Sequence, residues 1–197
     1  MAVLVEHSKR KREILEKSLD LFIEEGYEDV TFQKIADRCG ITRTTLYIYF
    51  KNKREIFIYS IKQITENLEK ALLKIIKDES MSSIDCLYKT FETILEEIES
   101  NAQLFKILLI YLIQLQKSGV DVDERVTRRV IRVQHLLSTI VIRGQKRGEI
   151  KQMPVKEIND LLYSQMECAV FRLAVLGRTK LTGIREMVKY LIDGIKV

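Results

Sequence analysis

The chain has 197 residues, 46% apolar and 31% charged, with a formal net charge of +5 at pH 7. That length admits one ordinary domain or a small module joined to a larger one, and the composition excludes a disordered chain. One proline, eight glycines and no tryptophan leave little material for a turn-rich β fold, so an all-α fold is expected.

The apolar positions Ile14, Leu15, Leu19, Phe22 and Ile23 recur at helical spacing from Ser8 onward and stop at Gly26, which predicts a first helix. Thr31 is placed to cap a short second helix over Phe32 to Cys39, ended by Gly40. Thr42 caps a third through Tyr49, with Ile41 and Leu46 turned inward and Arg43, Thr44 and Thr45 outward. A long helix follows from Lys53 to about Lys77, striped by Phe57, Ile61, Ile64, Leu68, Ala71 and Ile75. Next comes a helix carrying Ile84, Leu87, Tyr88, Phe91, Leu95 and Ile98, and then the segment Leu104 to Leu115, apolar enough to predict burial all round. Interrupted by Lys106 and Gln114, that segment is too short to span a bilayer. Val126, Val130, Val133, Leu137, Ile140 and Val141 mark another helix, and two more follow near Val155 to Leu176 and Thr182 to Ile195. The reading is nine helices in two unequal groups, with a boundary between residues 53 and 54.

Charge is unevenly spread. Residues 6–30 hold five basic and eight acidic side chains, net −3, whereas 31–54 hold six basic ones and only Asp37, net +5. A concentrated basic segment is the footprint of a polyanion binder. The amino terminus has no early positive charge or cleavable apolar segment, so a cytoplasmic location without membrane attachment is expected. Cys39, Cys86 and Cys168 form no recognised zinc spacing with His7 or His135, and neither metal nor cofactor is expected. Catalysis is not expected either: there is no Glu-x-x-His pair for a di-metal bundle, no glycine-rich phosphate loop and no nucleophile, base and orienter set.

A helix-turn-helix needs a small residue where two short helices cross, a glycine in the turn and apolar side chains filling the angle. Ala36, Gly40, Ile35, Ile41 and Leu46 meet those requirements inside the basic segment. Arg43 suits bidentate donation to guanine and Thr44 a thymine methyl, so these two are the expected base readers. Thr31, Thr42, Thr45, Tyr47, Tyr49 and Lys53 carry donors suited to phosphate oxygens. Lys9 to Arg12 are either an arm reaching an adjacent groove or a solvated helix start.

Together Gly26-Tyr27, Thr31, Ile35-Ala36, Gly40-Ile41-Thr42, Thr45-Leu46-Tyr47 and Tyr49-Phe50-Lys51-Asn52-Lys53 resemble the TetR family of transcriptional regulators over residues 8 to 60. The resemblance implies a homodimer with an amino-terminal DNA-binding domain (1–53) and a carboxy-terminal domain (54–197) that binds a small-molecule inducer, acting as a repressor on a near-palindromic operator. Thr44 and Ile48 depart from the small and polar residues common there, so the bases and phosphates read need not match any relative's operator. The resemblance also places the dimer interface on the last two helices, with Ile158, Leu162, Met166, Leu173, Met187, Leu191 and Ile195 as its candidates. Ile64, Tyr88, Phe91, Phe105, Tyr111 and Tyr163 are candidate walls for an apolar or aromatic effector, with Gln134, Gln165 and Cys168 as polar contacts. Ordinary core packing accounts for the same residues. The alternative reading is a helical ligand-binding or interaction protein without sequence-specific DNA binding.

Overall fold

The computed structural model describes residues 2–121 and 123–197, with side chains over 6–121 and 131–197. Val126 and Val130, expected to face inward, lie outside the described side chains. Among the described residues there are nine helices and no strand beyond an isolated antiparallel bridge between Ile150 and Lys196, so the fold is all-α as expected. No single helix among them is long and apolar enough to cross a membrane. Two compact units divide the chain, Met1–Asn67 and Leu68–Val197.

The amino-terminal unit is built from α1 (Ala2–Glu25), α2 (Phe32–Cys39), α3 (Arg43–Tyr49) and the first part of α4 (Lys53–Ile76). α1 begins well before Ser8, its expected start. The core is Ile14, Leu15, Leu21, Phe22, Val30, Ile35, Leu46, Phe50, Ile56 and Phe57, all essentially sealed from water. Phe22 meets Phe57 edge-on with ring centroids 5.0 Å apart, a geometry that aromatic quadrupoles favour. Two buried hydroxyls are satisfied by backbone: Ser18 donates to the Ile14 carbonyl and Ser60 to that of Leu15, at 3.0 Å. The second of these ties α4 to α1.

The larger unit contains the end of α4 with α5 (Ser83–Ser100), α6 (Ala102–Lys117), α7 (Asp123–Lys146), α8 (Val155–Ala174) and α9 (Thr182–Ile195). Leu87, Phe91, Leu95, Leu137, Ile140, Val141, Ile184 and Ile192 form the middle of its core. α7 approaches α5 so closely that a Cβ on Gly144 would stand 2.5 Å from Ile150 Cδ1 and 2.8 Å from Ser83 Cβ. Glu99 of α5 anchors the start of α9, accepting from Leu181 N at 2.7 Å and from both terminal nitrogens of Arg185 at 2.7 and 3.1 Å. The Arg185 hydrogen bonds, outweighing desolvation, hold the Glu99 carboxyl below its ordinary range.

Two expectations need correction. α6 is not buried all round: Leu104, Ile107 and Tyr111 face inward, but Ile110 and Ile113 are 46% and 52% exposed, because α6 packs on α5 and α8 along one side only. The candidate interface residues, which the sequence leaves open to a core role as well, are largely core. Ile158, Leu162, Met166, Leu173 and Ile195 are buried in the core of their own unit, and Leu191 packs against that core. Only Met187 of the set is exposed. The second apolar face of these helices consists of Leu161 and Phe171 on α8, Val175 just past its end, and Met187 and Tyr190 on α9, all exposed.

Candidate nucleic-acid interface

The helix-turn-helix is fixed by its own caps. Thr31 Oγ1 accepts from Lys34 N at 3.2 Å and opens α2. Gly40 then closes it in the left-handed region, at φ 66°, so that its own amide and that of Ile41 return to the Asp37 and Ala36 carbonyls, each at 3.0 Å. Thr42 Oγ1 accepts from Thr45 N at 3.1 Å and starts α3. Beyond Phe50, Asn52 Oδ1 accepts from Glu55 N at 2.9 Å while the Glu55 carboxylate accepts from Lys51 N at 2.6 Å. This reciprocal pair sets the entry to α4. With Leu46 wholly buried, the remaining surface of α3 faces outward.

On that surface Arg43 Nη2 donates to the Tyr47 hydroxyl at 3.2 Å, and the guanidinium carbon stands 5.7 Å from the Tyr47 ring centroid. Tyr47 in turn rests on Phe32, with centroids 4.6 Å apart. The arginine is therefore braced by an aromatic pair, which limits the rotamer entropy lost when it meets a ligand. Thr44 is exposed beside it. Thr42 and Thr45 hydrogen-bond to each other through their hydroxyl oxygens at 2.8 Å. The Tyr49 ring stacks on His7 of α1 at 4.7 Å. Thr31, exposed at the start of α2, keeps its hydroxyl hydrogen for donation outward, since its oxygen is the acceptor in the cap.

Lys53 does something different from what was expected. Its ammonium donates to the carbonyls of Tyr27, Glu28 and Val30 at 2.9, 3.0 and 3.0 Å and lies 4.7 Å from the Tyr27 ring centroid. All three N–H donors are turned into the fold, closing the α1–α2 connection rather than facing phosphate. The local charge count overstated the patch for a similar reason. Lys34 pairs with Glu25, and Arg38 forms a fork with Glu24, so acidic residues at the end of α1 neutralise part of the basic segment. Glu24, hydrogen-bonded by Arg38, is held below its ordinary carboxylate range. Ile48 and Lys51, not among the DNA contacts expected from the sequence, are both exposed here.

The effector candidates are divided between the two units. Ile64 belongs to the amino-terminal unit and the other eight to the larger one. Phe91 and Tyr111 are core. Tyr88 reaches the surface, where its hydroxyl donates to Asp193; burial, and then that carboxylate, push its phenol up to about 12. Phe105, Tyr163 and Cys168 are half-buried against the core, and burial raises the Tyr163 phenol. Gln165 Nε2 donates to Ser164 Oγ at 3.4 Å, and Gln134 enters through its backbone carbonyl, which accepts from Asn159 Nδ2 at 3.4 Å and from Ser138. Neither Asn159 nor Gln114 is among the effector contacts expected from the sequence, yet Asn159 Oδ1 and Gln114 Oε1 are buried acceptors with no donor among the described residues. Such an atom is costly unless something else satisfies it.

The profile of the bacterial regulatory proteins of the tetR family matches residues 14–59, the segment that forms this helix-turn-helix. The fatty acid metabolism regulator protein of Bacillus subtilis is 24% identical over 148 residues, 73% of this chain and 74% of that one. The biofilm operon negative transcriptional regulator IcaR of Staphylococcus aureus is 30% identical over 89 residues, 45% of this chain and 47% of that one. Among solved structures, a TetR transcription regulator from Haloarcula marismortui superposes with a TM-score of 0.84 at 18% identity, covering 96% of this chain and all of that one. FadR of Bacillus subtilis, solved with stearoyl-CoA, superposes with a TM-score of 0.74 at 20% identity over 93% of this chain and 98% of that one. With the motif and the family profile in agreement, the amino-terminal unit carries the helix-turn-helix of the tetR family of bacterial regulatory proteins, and the nine helices of the described residues adopt the fold of the TetR regulators above.

Proposed function

We propose that the protein is a cytoplasmic repressor that binds a near-palindromic operator as a homodimer and is released by a small effector with a long apolar part. The observation that carries the DNA-binding half is α3 itself: a capped helix, buried only through Leu46, that presents a braced Arg43 and an exposed Thr44. Arg43 donates two hydrogen bonds to a guanine edge and Thr44 meets a neighbouring base. Thr31, Thr42, Thr45, Tyr47 and Tyr49 hold the register on phosphates, and Lys51 takes the cationic contact from which Lys53 is withdrawn. In this reading the DNA-binding domain spans 1–53 and the sensing and dimerisation domain 54–197.

A single short helix covers only a few base pairs, each worth about 1–3 kcal/mol of discrimination, so an operator requires two copies. The exposed stripe of Leu161, Phe171, Val175, Met187 and Tyr190 supports pairing through α8 and α9, and the two reading helices then address successive turns about 34 Å apart. Negative regulation by the Staphylococcus aureus relative supports repression. Stearoyl-CoA in the Bacillus subtilis structure supports a fatty-acyl effector, with Asn159 and Gln114 as acceptors for its polar groups. Release requires an effector that prefers the non-binding conformation by about 10⁴-fold, roughly 5.5 kcal/mol. α4, shared by both units, is the element whose displacement would change the separation of the reading helices.

Selection of bound duplexes from a random pool tests the reading. A palindromic consensus that loosens at one base pair per half-site with Arg43→Ala is expected, whereas sequence-blind binding unaffected by that change would refute it.

A further inference from the structure

Ile48 is 69% exposed, and among the described residues it and Tyr47 are the two large apolar side chains that the amino-terminal unit leaves to solvent. An α-helix turns about 100° per residue, so Ile48, two residues beyond the buried Leu46, lies about 200° round from the core-facing line. Thr44, two residues before Leu46, falls on the same outer line one turn earlier. Arg43 and Tyr47 flank this line on one side, Thr45 and Tyr49 on the other. Ile48 is thus on the ridge of α3 that enters deepest into anything the helix docks against.

The surroundings of this isoleucine specify the chemistry of its partner. A cation, two threonine hydroxyls and two tyrosines flank one branched hydrocarbon group. The complementary surface is anionic and rich in acceptors, with an apolar point at its centre. In duplex DNA the phosphates supply the charge, and the thymine 5-methyl is the apolar group on the major-groove edge. No other base pair edge offers one.

We infer that Ile48 is a specificity-determining residue that packs on a thymine methyl in each operator half-site, with the Thr44 methyl on the same ridge lining the contact. This rests on the DNA-binding reading above and adds a base identity to it: a thymine faces the ridge of α3, close to the guanine read by Arg43. Replacement of that thymine by uracil leaves every hydrogen bond in place and removes only the methyl.

The test uses the full chain and the consensus duplex it selects, with each thymine replaced in turn by deoxyuridine. One position per half-site loses about fourfold in affinity, and about sixteenfold when both half-sites are changed, as expected for one buried methyl each. An Ile48→Ala protein binds the thymine and uracil duplexes equally well. The inference fails if uracil at every position leaves affinity within about 1.5-fold, or if Ile48→Ala keeps the preference for thymine. A consensus that still depends on Arg43 then leaves the DNA-binding reading standing, whereas no consensus at all removes both. Should Ile48 instead pack on a second copy of the chain, uracil is silent while Ile48→Ala changes the oligomeric state, which also overturns the inference. Because the uracil series alters only the DNA, it decides the matter even if the variant folds poorly.

Discussion

Replacing Lys53 by methionine separates two roles that a basic residue at the start of α4 can play. The substitution keeps most of the aliphatic stem and removes the ammonium that donates to three carbonyls of the α1–α2 connection at 2.9 to 3.0 Å. A hydrogen bond with a charged partner contributes about 1.5–3 kcal/mol, but these carbonyls lie at a half-exposed turn where water replaces part of what is lost. The expected loss is therefore about 2–3 kcal/mol in total rather than the sum of three full bonds. Urea denaturation followed by far-UV circular dichroism reads it as a lower midpoint at an unchanged slope for the amino-terminal unit. Operator affinity measured against salt gives the second readout. A lysine on a phosphate in each protomer contributes about 1.8 to the slope of log affinity against log salt, whereas a lysine turned into the fold contributes nothing. Unchanged stability with a slope reduced by about 2 would refute the structural role.

Further predictions follow from the packing. Tyr190→Asp, on the exposed face of α9, produces a folded monomer with greatly weakened operator binding in analytical ultracentrifugation and binding assays. Ile158→Ala, in the core, instead costs about 2–5 kcal/mol of stability and leaves the association constant of the folded protein alone. Glu99 has a carboxyl held below its ordinary range, first by the Arg185 hydrogen bonds. Its ionised form therefore stabilises the fold above the unfolded value of about 4.5, and this is lost as pH falls through the lower folded value. Glu99→Gln costs about 2 kcal/mol at neutral pH and flattens the acid limb of the stability curve. Gly144→Ala forces a Cβ against Ile150 and Ser83 and lowers the stability of the larger unit by about 1–3 kcal/mol in calorimetry.

The parts legible in the sequence are those fixed by neighbours in the chain. The bounds of α2 and α3 follow from Thr31, Gly40 and Thr42, whose caps are made within four residues. Leu46 is core as expected, because a short helix pinned at both ends leaves little choice of face. Where distant residues decide, the reading failed. Nothing near Lys53 signals that its partners are carbonyls 23 to 26 residues upstream. The basic count over 31–54 missed that Glu24 and Glu25 of α1 lie against Arg38 and Lys34. α8 and α9 carry apolar residues on two faces, and periodicity alone does not say which of them meets the core. α6 is apolar on every side, yet only Leu104, Ile107 and Tyr111 of it are fully buried. Ile48 stands out in the sequence only as an apolar residue at a position commonly polar in the family; its exposure makes it a candidate reader.

The central claim is that α3 reads bases through Arg43, and the most direct measurement is the ratio of affinities for the selected palindrome and for a scrambled duplex of equal length at one fixed salt concentration. A ratio of at least about 10³ is predicted for the unaltered protein. With Arg43→Ala it falls about 10-fold or more per half-site while binding to the scrambled duplex changes little. A ratio that is near one, or that Arg43→Ala leaves intact, would contradict the account.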